Sequence, residues 1–250
     1  RSSSSACETA SAYECSSNMA SGIGAWAEHA VESARASSPT RLRAVLGAAA
    51  YHLLQGRGEW QAGIVLADEG VLIPLVPGDR PNVMADVAAG MGCLRTGDVD
   101  RLRTVYAEVH RQLDGLDGVT TQRSGLHSSM STLLASVDDL AGAQREAEVG
   151  LRLARENQNP TSLALGLFAT AWSCALDDPG AALAAVDESI ALTRAGAVDG
   201  AFGAALCQAA SLRARQGDAR LSLEHLREGI SYSHEVGDNT NLANAVNRGA

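Results

Sequence analysis

The chain is expected to fold as an all-α protein, an α-solenoid of stacked helix hairpins, on three observations. Helix-breaking residues recur about every forty positions, the segments between them are amphipathic at helical spacing, and the composition suits closely packed helices. The 250 residues include 45 alanines and 29 leucines, with aromatics at 4%. Alanine and leucine are both strong helix formers, and small side chains let two helices approach.

The breakers fall at Gly56–Glu59, Gly97-Asp98, Val137–Asp139, Asp177–Gly180 and Gly217-Asp218; centres at 58, 97, 138, 178 and 217 give steps of 39, 41, 40 and 39. A second series lies between them, at Ser38-Pro39, Pro77–Asp79, Asp117-Gly118, Asn159-Pro160, Val198–Gly200 and Gly237-Asp238. Gly, Pro, Asp and Asn stop one helix or cap the next. Two interleaved series at one period predict a pair of helices repeated about five times.

Taken in order, residues 1–38 read as a partial repeat with a frayed Ser2–Ser5 end, followed by an amphipathic helix over Gly22–Ser37. Residues 39–250 form the repeat domain. Its first pair spans Thr40–Gln55 and Trp60–Leu72, its second Asn82–Arg95 and Val99–Leu113. The third begins with the serine-rich Gln122–Ser136 and continues with a helix patterned by Ala143, Ala147, Leu151 and Ala154. The fourth spans Ser162–Ala175 and Ala181–Ala195, and Asn159-Pro160 supplies its start signal. The fifth spans Ala201–Gln216 and Ala219–Val236, with Leu223, Leu226 and Ile230 expected on one apolar face and a terminal helix after it. A hairpin amphipathic on both sides cannot bury its faces alone, so stacking is the expected solution, with one concave and one convex surface.

The run Ala182–Leu192, and Ala210–Arg215 leading through Gly217-Asp218 into Leu223–Gly229, resemble degenerate tetratricopeptide repeats. Aligned on Gly217, small or apolar residues fall at Leu206, Ala209, Ala210, Leu226, Gly229 and Ile230; aligned on Gly97, Asp86 departs from that pattern. The forty-residue period is longer than the usual tetratricopeptide unit. It resembles the C-terminal helical-repeat region of large bacterial signalling ATPases: the maltotriose-sensing activator type, LuxR-type regulators and ATPase-linked class III nucleotidyl cyclases. Asp177–Gly180 before an alanine-rich helix, and Leu226–Gly229 leading through Gly237–Asn239 into Asn244–Arg248, carry that likeness over residues 40–250. It implies a right-handed superhelix that binds effectors or partner proteins and holds an attached domain on or off. The family's ATPase, cyclase and DNA-binding domains lie outside these residues. The start at Arg1 and the terminal helix read as part of a longer chain.

Composition narrows the chemistry. All twenty basic residues are arginine, so there is no P-loop lysine, Schiff-base lysine or Ser–Lys nucleophile. A net charge of −9 and arginine pairs at i, i+2, which diverge around a helix, argue against direct contact with nucleic acid. No apolar run of 18 residues appears, so no membrane association is expected. The five cysteines show no zinc or disulfide spacing; reduced thiols, with Cys93, Cys174 and Cys207 as small buried hydrophobes, suggest the cytoplasm.

Neither Gly22-Ile23-Gly24 nor the Gly90/Gly92 pair completes a dinucleotide fingerprint, and close helix packing explains the glycines. Glu28-His29 lacks the second histidine of a zinc-protease helix, and the six histidines read as exposed or capping. The Asp138/Asp139 and Asp177/Asp178 pairs lie in repeat turns, where aspartate caps the following helix. No catalytic residue, metal ligand or cofactor is therefore expected. The remaining candidate is a polar row facing the concave groove: His52 and Gln55, Met91 and Arg95, Ser128 and Thr132, Ser173, and Ser211 with Arg215. Such a row suits a protein or peptide partner, or a small effector. Self-association through the terminal repeats, an enzyme of unrecognised class and a purely structural spacer are the alternatives to a regulatory scaffold.

Overall fold

A computed structural model describes residues 23–54, 58–76, 83–113, 121–196, 201–236, 238 and 241. Among them are eleven α-helices and no strand. The helix α1 (Ile23–Ala34) precedes five pairs: α2 (Pro39–His52) with α3 (Trp60–Leu72), α4 (Met84–Thr96) with α5 (Val99–Leu113), and α6 (Thr121–Ala135) with α7 (Leu140–Asn157). The last two pairs are α8 (Pro160–Cys174) with α9 (Pro179–Arg194), and α10 (Phe202–Arg215) with α11 (Ala219–Val236).

The recurring turns share one device. A residue in the left-handed region ends the first helix, and an aspartate next to it caps the second. Gly97 (φ 73°) and Gly217 (φ 83°) take that conformation, and in the third pair Asp138 takes it at φ 62°. The neighbouring carboxylates then accept backbone N–H bonds three residues on: Asp98 from Arg101 at 3.0 Å, Asp139 from Gly142 at 2.9 Å and Asp218 from Leu221 at 3.0 Å. The fourth turn keeps the cap alone, Asp178 accepting from Ala181 N–H at 2.9 Å. Each cap satisfies one of the donors that every helix start leaves open.

Members of each pair pack on one another, but the pairs meet unequally. Across repeat boundaries the first helices touch in series, α2 with α4, α4 with α6 and α6 with α8, whereas no second helix makes contact of like extent with the next second helix. Small residues permit this approach. A Cβ on Gly47 of α2 would lie 2.4 Å from the Ala85 nitrogen of α4, and one on Gly90 would lie 3.1 Å from Leu133 Cδ1 of α6. Gly92 packs on Ile64 of α3, 3.0 Å from where its Cβ would be, so Gly90 and Gly92 serve close packing as expected, whereas Gly22 lies outside the described residues.

The apolar core forms two main clusters. One runs from Ala50 and Leu54 through Val87 and Leu102 to Met130; the other from Leu167 and Ala171 through Val186 to Leu206 and Leu212. The closely packed α6 and α7 join them. Cys93 and Cys207 are buried and Cys174 is half-buried. Of the three apolar positions on α11, only Leu226 is buried: Leu223 is 51% exposed and Ile230 36%, because no described element covers the side of α11 turned away from α10. The apolar face expected over all three leucine and isoleucine positions is thus buried at its centre alone.

Asp86, the departure from the repeat pattern, has a specific partner. Arg43 of α2 and Asp86 of α4 are both buried, at 3% and 1% exposure, and Arg43 Nη2 donates to Asp86 Oδ2 at 2.6 Å. The other arm, Nη1, donates to the carbonyls of Gly70, Val71 and Ile73 at 3.0, 3.1 and 2.7 Å. One guanidinium thereby closes the carboxyl end of α3 and ties it to α2 and α4. Burial pushes the Asp86 carboxyl above its ordinary value, and the Arg43 charge offsets part of that rise. Arg43→Met is expected to cost about 3–5 kcal/mol at neutral pH, because it strands a buried carboxylate and three carbonyls. The cost should be smaller near pH 4, where the stranded Asp86 takes up a proton; urea denaturation at the two pH values measures the difference.

Candidate functional site

The polar row expected in the groove is only partly open. Arg95 and Arg215 are exposed, and His52, Met91, Thr132 and Ser211 are half-buried. Ser128 and Ser173 are buried at 0% and 2% exposure. Gln55 lies outside the described residues.

The two buried serines face helix contacts. Ser128 Oγ donates to the Ser124 carbonyl at 3.0 Å and stands 2.8 Å from where a Gly150 Cβ would be; Ser173 Oγ donates to the Thr170 carbonyl at 3.0 Å. They act in packing and offer no hydroxyl to a groove as placed. Thr132 likewise bonds back to the Ser129 carbonyl at 2.8 Å. Arg215 Nη1 donates to the Ala175 carbonyl at 3.0 Å, joining the fifth first helix to the end of the fourth. The open part of the row therefore consists of His52, Met91 and Arg95 on α2 and α4, with Ser211 and Arg215 on α10.

The structure assembles a second polar group that sequence reasoning missed. Glu146 of α7, 4% exposed, accepts three hydrogen bonds from two other helices. On α5, Tyr106 Oη donates to Oε1 at 2.9 Å and His110 Nε2 lies 2.9 Å from the same oxygen. From α6, His127 Nδ1 lies 2.8 Å from Oε2. The His110 and His127 rings are 6.0 Å apart, and Tyr106 meets His110 edge-on at 4.6 Å. The expectation of exposed or capping histidines fails here: His127 is buried at 6% exposure, because its imidazole is the donor that the buried carboxylate requires. The available signal was Tyr106 and His110 at i, i+4, one face of one helix, together with a glutamate between Ala143 and Ala147 on an otherwise apolar stripe.

The electrostatics make this cluster a fixed hub. Burial alone would raise the Glu146 carboxyl, but the bond from His127, the nearby His110 and the Tyr106 hydroxyl outweigh it and hold the group below its ordinary value. Burial, and then the Glu146 charge, push the Tyr106 phenol well up, so it remains a hydrogen-bond donor. A carboxylate held ionised opposite a phenol held protonated favours a standing bond over proton exchange.

A shallow depression of about 420 Å³ lies elsewhere, between the α4–α5 and α6–α7 turns, lined by Cys93, Gly97, Asp98, Leu102, Val137 and Asp138. Burial pushes the Cys93 thiol up, away from the reactive thiolate. Among the described residues no three His, Cys, Asp or Glu side chains are placed to share a metal ion, and no helix is long and apolar enough to cross a membrane.

Glu146→Gln keeps the size of the side chain and removes its charge, and should cost about 1–3 kcal/mol at pH 7. The native carboxyl lies below its unfolded value, so its contribution is present above about pH 4.5 and fades as the pH falls through the folded value. Urea midpoints of the two proteins should therefore converge toward pH 3, and an equal gap at both pH values would contradict the assignment.

No family model matches the chain, and no curated protein matches it.

Proposed function

We propose that this segment is a non-catalytic binding scaffold: a right-handed α-solenoid of antiparallel helix hairpins whose concave groove holds a peptide, a protein segment or a small effector. In this reading the five first helices form the inner layer. The observation that carries it is the inequality of packing, since the first helices of the first four pairs touch across repeats more extensively than any second helix touches the next. A curved stack compresses its inner layer and splays its outer one.

Contacts at similar distances on either side of the turns support the hairpin geometry. Around Gly217, a Cβ on Gly229 would meet Leu206 Cβ at 3.4 Å, and one on Gly203 would meet Ser233 Oγ at 2.9 Å. Around Asp138, Ser124 Oγ reaches the Gly150 carbonyl at 2.9 Å. Ligand binding would favour one curvature over another and so bias an attached domain. The likeness to tetratricopeptide-type regions of bacterial signalling ATPases and LuxR-type regulators fits that role, with the output domain outside these residues and the whole acting in the cytoplasm. The Glu146 hub supports the non-catalytic reading, because its carboxylate is fully engaged by three protein donors.

Selection from a random peptide library tests the proposal. Enriched peptides are expected to lose about ten-fold in affinity for a His52→Ala/Arg95→Ala protein, consistent with the loss of one charge-assisted contact. Arg103→Ala on the outer α5 should leave them unchanged. Peptides insensitive to the inner substitutions, or no enrichment at all, would contradict the groove.

A further inference from the structure

We infer that the inner face of the stack takes an acidic, extended polypeptide segment. The inference rests on the scaffold reading above and names the chemistry of its partner. It starts from how charge is divided between the two kinds of helix.

The five first helices carry Arg41, Arg43, Arg95, Arg123, Arg213 and Arg215 against a single acid, Asp86. The remaining 28 of the chain's 29 acidic residues lie elsewhere (29 less one). Asp86 contributes nothing to an outward field, since it is buried and bonded to Arg43. Four of the five second helices instead carry both signs, and some of these charges pair within one helix, as in Arg103 with Asp100, Arg152 with Glu156 and Arg220 with Glu224. A protein of net charge −9 thus keeps acids off one set of helices.

Not every arginine of that set is available. Arg43 is committed to Asp86 and to the end of α3, and Arg213 is paired with Asp187 of α9 at 2.5 Å. Arg41, Arg95 and Arg215 reach solvent, and of these Arg215 also donates to the Ala175 carbonyl at 3.0 Å. Arg41 and His52 are eleven residues apart on α2, close to three full turns, so they share one face. Arg95 and Arg215 both occupy the last turn of their helices, in the second and fifth pairs. The exposed cations therefore sit far apart along the stack, in its first, second and fifth pairs.

That spacing suits a polypeptide better than a nucleic acid. A polynucleotide presents phosphates continuously and is bound by dense basic tracks, whereas widely spaced guanidiniums can each fork onto one carboxylate of an extended chain. Repulsion from the acidic outer surface is screened beyond about 8 Å at physiological salt, so the local field of the groove decides the contact.

The test is fluorescence anisotropy with the whole chain and three labelled probes: a twelve-residue polyglutamate, a twelve-residue glycine–serine peptide and a twelve-nucleotide single-stranded DNA. Polyglutamate is expected to bind best, and to weaken about ten-fold both on raising the salt and in Arg95→Gln/Arg215→Gln. Arg103→Gln/Arg152→Gln, altered on outer helices, should differ from wild type by less than about two-fold. Both substituted pairs are exposed, so thermal melts should confirm intact folds. Equal binding of the neutral peptide, tighter binding of DNA, no binding of polyglutamate at low salt, or equal weakening by the two double substitutions would each overturn the inference. A neutral library peptide that depends on His52 and Arg95 would leave the scaffold standing while removing its acidic partner.

Discussion

Close approach of the first helices is the constraint on which the architecture depends. A side chain added at Gly47 or Gly90 would crowd the crossings of α2 with α4 and of α4 with α6. At Gly47 the facing group is backbone, 2.4 Å from where a Cβ would sit, so the crossing has no flexible side chain to yield. Within the pairs, hydroxyls satisfy carbonyls of the facing helix: Ser124 bonds to the Gly150 carbonyl at 2.9 Å, and Ser189 to that of Ala164 at 2.8 Å. The serine-rich α6 thus belongs to the core: Ser124 and Ser128 are buried with carbonyl partners, whereas the buried Ser131 hydroxyl makes no hydrogen bond. Small side chains gain little from transfer out of water, so such a layer gains stability chiefly from packing contacts repeated along the stack.

Two buried polar assemblies fasten first helices to second helices, and they do so where neighbouring pairs meet. Arg43 joins α2, the end of α3 and the start of α4; Glu146 joins α5, α6 and α7. The second matters because α5 and α6, consecutive in the chain, lack the extensive contact that links α3 to α4, α7 to α8 and α9 to α10. Tyr106 and His110 cross that boundary to a carboxylate on α7. Ionised groups in these positions cost desolvation, which only complete hydrogen bonding offsets, and both assemblies are well supplied with donors.

The helices themselves were legible in the sequence because their signals are local. Gly97-Asp98 and Gly217-Asp218 announce a left-handed stop and a cap within two residues, and the observed boundaries lie within a few residues of those read from the pattern. Asp138-Asp139 was legible for the same reason, although an aspartate stands where glycine stands in two other turns. The candidate row was harder, since periodicity places a residue on a helix without saying what lies opposite. Ser128 and Ser173 share the register of exposed and half-buried residues yet are themselves buried. Asp86 looked like a defect because its partner lies 43 positions away, and the Glu146 hub was invisible because its four members span 40 positions and three helices. Neither relation leaves a mark at short range.

The central claim is that first helices form the inner, tighter layer of a curved stack. Pulsed electron resonance distances test it most directly, with spin labels on exposed positions of α4 and α8 in one sample and of α5 and α9 in another. The account predicts a clearly shorter span between the first helices than between the second helices over the same two repeats. Equal spans, or a shorter outer one, would contradict it.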